Sequence, residues 1–158
     1  MNQTFIKEEP RGELLRGLLE YTLEACDGLM LIEPDSGLSE TGKALLERLK
    51  PHRVGRGRTS GWPGHTMSRG AATALYYDWV PEVCEAVLEA GTSLYDFKFP
   101  DMPEGLCIQK EQTPWLVAHP RAKTAYVNCD DDQARLLAEA LPGLGMVVPD
   151  PPAEPDES

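Results

Sequence analysis

Hydrophobic residues recur at helical spacing in four stretches of the chain, and each stretch begins at a residue that favours a helix start. Ser39 is a typical N-cap, and Pro81 suits the first position of a helix. Asp130 and Gln133 have the spacing of a capping box. We therefore predict four helices, which lie approximately at Glu13–Cys26, Ser39–Leu49, Pro81–Ala90 and Asp130–Leu141.

Shorter stretches between these helices are rich in β-branched, aromatic and aliphatic residues, which favour strands. Three of them follow one another closely and predict an antiparallel meander, with turns at Glu111–Thr113 and Pro120–Lys123. The predicted strands are Leu29–Ile32, Ala72–Trp79, Leu106–Lys110, Trp115–His119 and Thr124–Asn128. Two further segments are candidates: a strand at Arg53–Arg58 and an edge strand at Met146–Val148.

The register of this meander sorts its side chains into two faces. One face is entirely apolar, and it holds Leu106, Ile108, Leu116, Ala118, Ala125, Val127 and Cys129. The opposite face is mixed polar and aromatic, and it holds Cys107, Gln109, Trp115, Val117, His119, Thr124, Tyr126 and Asn128. An antiparallel sheet with one packed and one freer face is typical of the α+β class. We expect about three to six strands, packed on one face by about four helices.

The composition is that of a soluble globular protein, with 41% hydrophobic and 26% charged residues in 158. No apolar run approaches the roughly 20 residues of a membrane helix, and the N-terminus lacks the features of a secretory signal. We therefore expect no membrane association and a cytoplasmic location. A single domain is predicted over residues 1–148. The remaining PDPPAEPDES, residues 149–158, is an acidic, proline-rich segment that is expected to be disordered.

The residues that usually hold metal ions are poorly arranged for that purpose here. Cys26, Cys84, Cys107 and Cys129 are widely separated, without a CxxC pair or a cluster with histidine. The three carboxylates at Asp130–Asp132 suit a helix start and lack the spaced oxygen ligands of a calcium loop. We therefore expect four buried, reduced thiols, no metal site and no cofactor.

Positive charge is concentrated in one stretch of this acidic chain. Thirty residues from Arg48 to Tyr77 carry six of the 15 cations and no carboxylate, although the net charge is −11. Guanidinium groups bind carboxylate or phosphate through paired hydrogen bonds, and glycines let backbone amides approach an anion. A candidate anion- or partner-binding surface therefore consists of Arg53, Arg56, Arg58, Trp62 and Arg69. The alternative is a solvated segment whose arginines balance the molecule's own carboxylates, with Trp62 buried as the anchor of a turn.

The mixed face of the meander is a second candidate contact surface, because amphipathic aromatic side chains are enriched in protein interfaces. The candidate contacts are Trp115, His119, Tyr126, Asn128 and Cys107. One alternative is burial of this face under residues 61–70 or under the N-terminal segment. Another is a thiolate–imidazole pair of Cys107 and His119, for which the sequence offers no nucleophile motif.

Several short motifs in the central third of the chain resemble small bacterial proteins of unassigned role. They are Trp62-Pro63-Gly64, Leu94-Tyr95-Asp96-Phe97, Pro100-Asp101-Met102-Pro103-Glu104, Leu106-Cys107 and Pro114-Trp115-Leu116. The resemblance implies a bacterial, cytoplasmic protein and carries no activity with it. A small acidic α+β chain is also similar to bacterial immunity proteins and other inhibitors as a class, on charge and size.

No catalytic motif accompanies the uneven charge, so we expect a non-enzymatic interaction protein of the immunity, inhibitor or defence-accessory type. It would dock stoichiometrically on a protein partner, and its acidic surface would steer it towards basic regions of that partner. One alternative is an anionic small-molecule-binding or catalytic domain that uses the arginine-rich segment. Another is contact of the same segment with RNA or DNA, which would weaken steeply with salt.

Overall fold

A computed structural model of the protein describes residues 2–63, 65–67 and 70–148. Its helices are α1 (Glu13–Ala25), α2 (Glu40–Leu49), α3 (Pro81–Ala90) and α4 (Asp131–Ala140). Its strands are β1 (Asn2–Ile6), β2 (Gly28–Pro34), β3 (Arg53–Thr59), β4 (Gly61–Trp62), β5 (His65–Thr66), β6 (Ala72–Asp78), β7 (Glu104–Lys110), β8 (Thr113–His119) and β9 (Thr124–Cys129).

Seven of these strands form one antiparallel sheet in the order β1-β9-β8-β7-β2-β6-β3, while β4 and β5 form a separate hairpin. The predicted α+β class is confirmed, but the sheet has more strands than expected, because β1 was not predicted. The edge strand predicted at Met146–Val148 is wrong. The strand beside β9 is β1 instead, and the C-terminal segment is tied to its end through hydrogen bonds from Lys7 and Glu8 to the Leu144 carbonyl.

Local sequence signals place the helix starts where they were predicted. The Ser39 hydroxyl accepts a hydrogen bond from the Gly42 amide at the start of α2. At α4, Asp130 and Gln133 form a reciprocal capping box, with side chain to backbone distances of 2.8 and 3.2 Å. These contacts satisfy amides that have no partner within the helix. None of the helices in the described residues combines the length and apolar character that a membrane crossing requires.

All four helices pack on one face of the main sheet and bury its apolar side chains. The seven meander residues predicted for that face all belong to this core, which confirms the meander register at these positions. Leu18, Leu19, Val83 and Val87 from the helices are fully buried against it. Burial of this kind supplies most of the stability of such a fold.

The opposite surface of the sheet, called here the second face, carries a row of residues that crosses all seven strands. In register, the row is Phe5, Tyr126, Val117, Cys107, Met30, Tyr76 and Gly55. Its middle is buried in a smaller cluster with Trp62 of the β4–β5 hairpin, while both ends reach the surface. The second face is therefore partly covered. This agrees with the alternative in which residues 61–70 bury the mixed face of the meander.

Trp115 does not lie on the second face, and its prediction as a sheet-face contact is wrong. The turn between β7 and β8 has only two residues, and β8 carries a bulge in which Trp115 is the extra residue between the partners of Ile108 and Gln109. The bulge turns the indole to the helix side, where it is buried and stacks on Tyr21 with ring centroids 6.4 Å apart. Bulges commonly re-aim a side chain in this way.

Candidate functional site

Strand β3 lies at the edge of the main sheet and carries three arginines of the cationic segment. Arg53, Arg56 and Arg58 lie opposite Tyr77, Leu75 and Thr73, which alternate along β6. Residues 53 and 56 would lie on different faces of a regular strand, but a bulge at Val54 brings them to the same face. The three guanidinium-bearing residues therefore form one row along an exposed edge, which we call the arginine ridge.

The cations of this region differ in how far they are neutralised. Arg58 forms a two-point ion pair with Asp35 at 2.6 and 2.7 Å and also donates to the Thr73 hydroxyl. The neighbouring Arg48 pairs with Glu89 of α3. Within residues 2–63, 65–67 and 70–148, Arg53 and Arg56 have no ion-pair partner. Two guanidinium groups of the ridge are therefore available to an external anion.

The second-face side of β3 is open and exposes two large hydrophobic side chains. Val54 is 65% exposed, and Tyr76 beside it is 37% exposed. They line an open groove of about 610 Å³, together with Asp27, Gly28, Leu29, Gly55, Tyr77, Asp78, Gln109 and Gln112. The sequence pattern did not single out Val54 or Tyr76, because their exposure follows from the bulge and from the edge position of β3.

Two other residues assigned to the cationic surface do not join the ridge. Trp62 is buried against Phe99 and His65, with ring centroids 6.2 and 4.9 Å away, so its proposed role as a surface contact is wrong. It anchors the β4–β5 hairpin on the second face instead. Arg69 lies outside the described residues.

The remaining sheet-face candidates fall into two groups. His119, Tyr126 and Asn128 lie on the second face, as predicted, and are half-buried there. Phe5, which the sequence pattern did not single out, is 53% exposed and packs on Tyr126 with ring centroids 5.6 Å apart. These side chains form a small aromatic patch at the end of the sheet opposite to β3.

Cys107 is fully buried, so its assignment to the contact surface is wrong. Burial raises the pKa of its thiol to about 12, which keeps the sulfur protonated at neutral pH. The thiolate that a Cys107–His119 pair would need is therefore not formed. No group of three or more His, Cys, Asp or Glu side chains in the described part of the chain is placed to hold a metal ion.

Comparisons with protein-family models, with curated proteins and with solved structures give no match to this chain. The resemblance to small bacterial proteins therefore stays a prediction.

Proposed function

We propose that the protein is a non-enzymatic interaction protein that docks on a protein partner through the edge of strand β3. The partner segment is extended and acidic, and it adds to the sheet as an eighth strand. The observation that carries this proposal is the pair of exposed guanidinium groups of Arg53 and Arg56 on an edge strand, which have no ion-pair partner among the described residues.

An edge strand offers unpaired backbone amides and carbonyls, and a partner strand can satisfy them through main-chain hydrogen bonds. Alternate side chains of such a partner lie on the same sheet face as the arginine ridge, about 7 Å apart along the strand. Carboxylates at every second position of the partner would therefore lie beside Arg53 and Arg56. Charge-assisted hydrogen bonds to guanidinium are among the strongest that a surface can offer.

Charge also decides which partners are disfavoured. A second copy of this chain, paired edge to edge, would bring one arginine ridge beside another, and like charges across strands are destabilising. The ridge therefore opposes self-association and favours a partner that brings carboxylates. Nucleic acid is disfavoured as a partner, because the net charge of the whole chain is −11.

Synthetic peptides test this proposal directly. A labelled peptide of four Glu-Thr repeats presents carboxylates at every second position, and fluorescence anisotropy measures its binding to the full chain. We expect saturable binding that weakens with added salt, and weaker binding of a peptide with the same composition in Glu and Thr blocks. The double variant Arg53→Glu/Arg56→Glu should lose at least about tenfold in affinity and should bind a Lys-Thr repeat peptide instead.

A matched variant, Arg11→Glu/Lys43→Glu, changes the net charge equally at exposed positions outside β3 and should bind as the unaltered protein does. An equal loss of peptide affinity in both double variants would show that only the net charge of the protein matters. That result would reject the edge of β3 as the docking site. If the ridge variant also loses the partner captured from a lysate, while the matched variant keeps it, the peptide and the natural partner share one site.

The narrower immunity, inhibitor or defence-accessory role stays a prediction within this proposal. An inhibitor must cover a working surface of its partner, so enzyme activity of a captured partner provides the measurement. Loss of that activity on adding one equivalent of this protein, but not of the ridge variant, is the expected result for an inhibitor.

A further inference from the structure

Glu104 is a buried carboxylate on the second face of the sheet, only 2% exposed. Its Oε1 accepts a hydrogen bond from the Phe99 amide at 3.1 Å, and its Oε2 accepts one from Arg121 Nε at 2.9 Å. A buried charge is costly, so a carboxylate in this position needs a charged or hydrogen-bonding partner. Here the carboxylate fixes the orientation of a half-exposed arginine.

Arg121 donates a hydrogen bond to Glu104 through Nε. Its two terminal nitrogens have no hydrogen-bond partner among the described residues. Its Cζ lies 5.9 Å from the centre of the Phe99 ring. These terminal nitrogens carry four N–H donors in one plane, which suits the oxygens of a carboxylate or phosphate.

Arg121 and Phe99 line an open groove of about 520 Å³ beside the β4–β5 hairpin. Its other described lining residues are Pro34, Asp35, Ser36, Trp62, His65, Thr66, Met67, Gly70 and Ala71. Half-buried Met67 and Phe99 provide an apolar wall close to a fixed cation. Ligand sites commonly combine an apolar lining with a few oriented polar groups in this way.

We propose that this groove binds a small aromatic oxyanion, with its carboxylate or phosphate group on Arg121 and its ring against Phe99 and Met67. Glu104 is the positioning residue, because it holds the guanidinium through Nε and leaves the terminal nitrogens facing the ligand. The groove borders the arginine ridge, because Asp35 lines the groove and pairs with Arg58. Arg121 and Phe99 have no part in the docking proposal, so the two proposals can fail independently.

A role for Arg121 as the counter-ion of Glu104 alone would require only one point of contact, and lysine would serve it equally. The aromatic wall would then have no part in binding. The two interpretations therefore differ in what phenyl phosphate, benzoate and inorganic phosphate do to the protein.

Titration of the full chain followed by two-dimensional amide NMR and by thermal unfolding provides the test. Phenyl phosphate or benzoate, added to about 10 mM, should shift the amide signals of Phe99, Met67 and Arg121 and raise Tm in a saturable manner. Inorganic phosphate should bind at least about tenfold more weakly, because it lacks the ring. Equal effects of phenyl phosphate and inorganic phosphate would overturn the aromatic part of the site, and no shift with either aromatic compound would overturn the site itself.

Three variants separate ligand binding from stability. Arg121→Lys keeps the charge beside Glu104 but removes the planar guanidinium group. It should lower the affinity for phenyl phosphate at least about tenfold. Glu104→Gln/Arg121→Gln removes both charges together, so no buried charge is left unpaired, and it should abolish the shifts. Arg48→Gln, at an exposed arginine of α2 that pairs with Glu89 of α3 on the helix side of the sheet, should leave the titration unchanged. Retained binding in the Gln double variant would reject Arg121 as the anion-binding group.

Discussion

Arg58 and Asp35 form a two-point ion pair, with Nη1 to Oδ1 at 2.6 Å and Nη2 to Oδ2 at 2.7 Å. This contact lowers the pKa of the Asp35 carboxyl and raises that of the Arg58 guanidinium, chiefly through the hydrogen bonds between the two groups. Asp35 therefore neutralises Arg58, the third arginine of the ridge. Arg53 and Arg56 have no such carboxylate among the described residues and can bind a partner.

The first prediction concerns the titration of Asp35. Because its pKa is lowered in the folded protein, the ion pair stabilises the fold above the ordinary carboxyl pKa and loses this effect as the pH falls through the lowered value. The contribution is small, since both side chains are exposed and screened by salt. NMR titration of Arg58→Gln should show the Asp35 pKa returning towards its ordinary value. An unchanged Asp35 pKa in this variant would mean that the ion pair does not form in solution.

The second prediction is that releasing Arg58 strengthens the ridge. Asp35→Asn removes the competing carboxylate, so that Arg58 joins Arg53 and Arg56 in having no ion-pair partner within the part of the chain that the structure describes. The Glu-Thr repeat peptide should then bind about two- to fivefold more tightly, as one additional surface ion pair allows. Ser36→Ala, at the neighbouring exposed position, is the control and should leave peptide affinity as it is. Weaker binding by Asp35→Asn would exclude direct contact between Arg58 and the peptide.

The third prediction is a loss of stability at alkaline pH. Burial raises the pKa of Cys26 and Cys107 to about 12, that of Cys84 and Cys129 to about 11, and that of Tyr77 to about 12. The folded state thus keeps protons that the unfolded state releases above about pH 9. The free energy of unfolding should be level between neutral pH and about pH 9 and should fall from about pH 9 to 12, by up to about 1.4 kcal/mol per pH unit for each group.

Urea denaturation at a series of pH values measures this effect, and Cys107→Ala provides the comparison. The variant is less stable at neutral pH because it leaves a cavity, but its stability should decline less steeply above pH 9, since one titrating group is gone. Identical slopes for the two proteins would show that the Cys107 thiol does not titrate on unfolding in this range. Ellman's reagent should leave all four thiols unmodified in the folded protein, because all four are buried.

Features with local causes were predictable from the sequence. The caps of α2 and α4 depend on residues within three positions of each other, and the seven apolar meander residues alternate without interruption. The smaller features depend on tertiary contacts. The bulges at Val54 and Trp115 each depend on how one strand pairs with its neighbour. The predicted turn had three residues, Glu111–Thr113, whereas the turn in the structure has only Glu111 and Gln112, and this difference placed the indole of Trp115 on the wrong face.

The candidate sites show the same division. The concentration of arginines was visible in the sequence, but the partners that distinguish Arg58 from Arg56 come from another part of the chain. The pairing of Glu104 with Arg121 joins residues 17 positions apart across a strand pair and left no pattern in the sequence. Ordinary sequence periodicity does not report such contacts, because it records which face a residue occupies and not which side chain it meets.

The fourth prediction tests the position of Trp115. Trp115→Ala removes a buried ring from the core and should lower the free energy of unfolding by about 3–5 kcal/mol. Phe5→Ala removes an aromatic ring that is half-exposed on the second face, and it should lower the free energy of unfolding by about 1 kcal/mol or less. Urea denaturation of both variants gives the comparison. A small loss for Trp115→Ala, similar to that for Phe5→Ala, would place the indole on the surface and contradict the bulge.

The fifth prediction concerns Gly105, a residue of β7 that lies beside Trp62 of the hairpin on the second face. Its φ is +65°, and a Cβ atom there would lie 2.6 Å from Ile32 Cγ1 and 2.7 Å from Trp62 Cδ1. Gly105→Ala therefore combines backbone strain with overpacking and should lower the free energy of unfolding by about 2–4 kcal/mol. The matched variant Gly57→Ala adds a Cβ that meets nothing within 4 Å and should change stability little. Because the clash with Trp62 would push the hairpin outwards, hydrogen exchange at Trp62 and His65 should also accelerate in Gly105→Ala alone. Equal stability and equal exchange in the two variants would mean that the hairpin does not pack on Gly105.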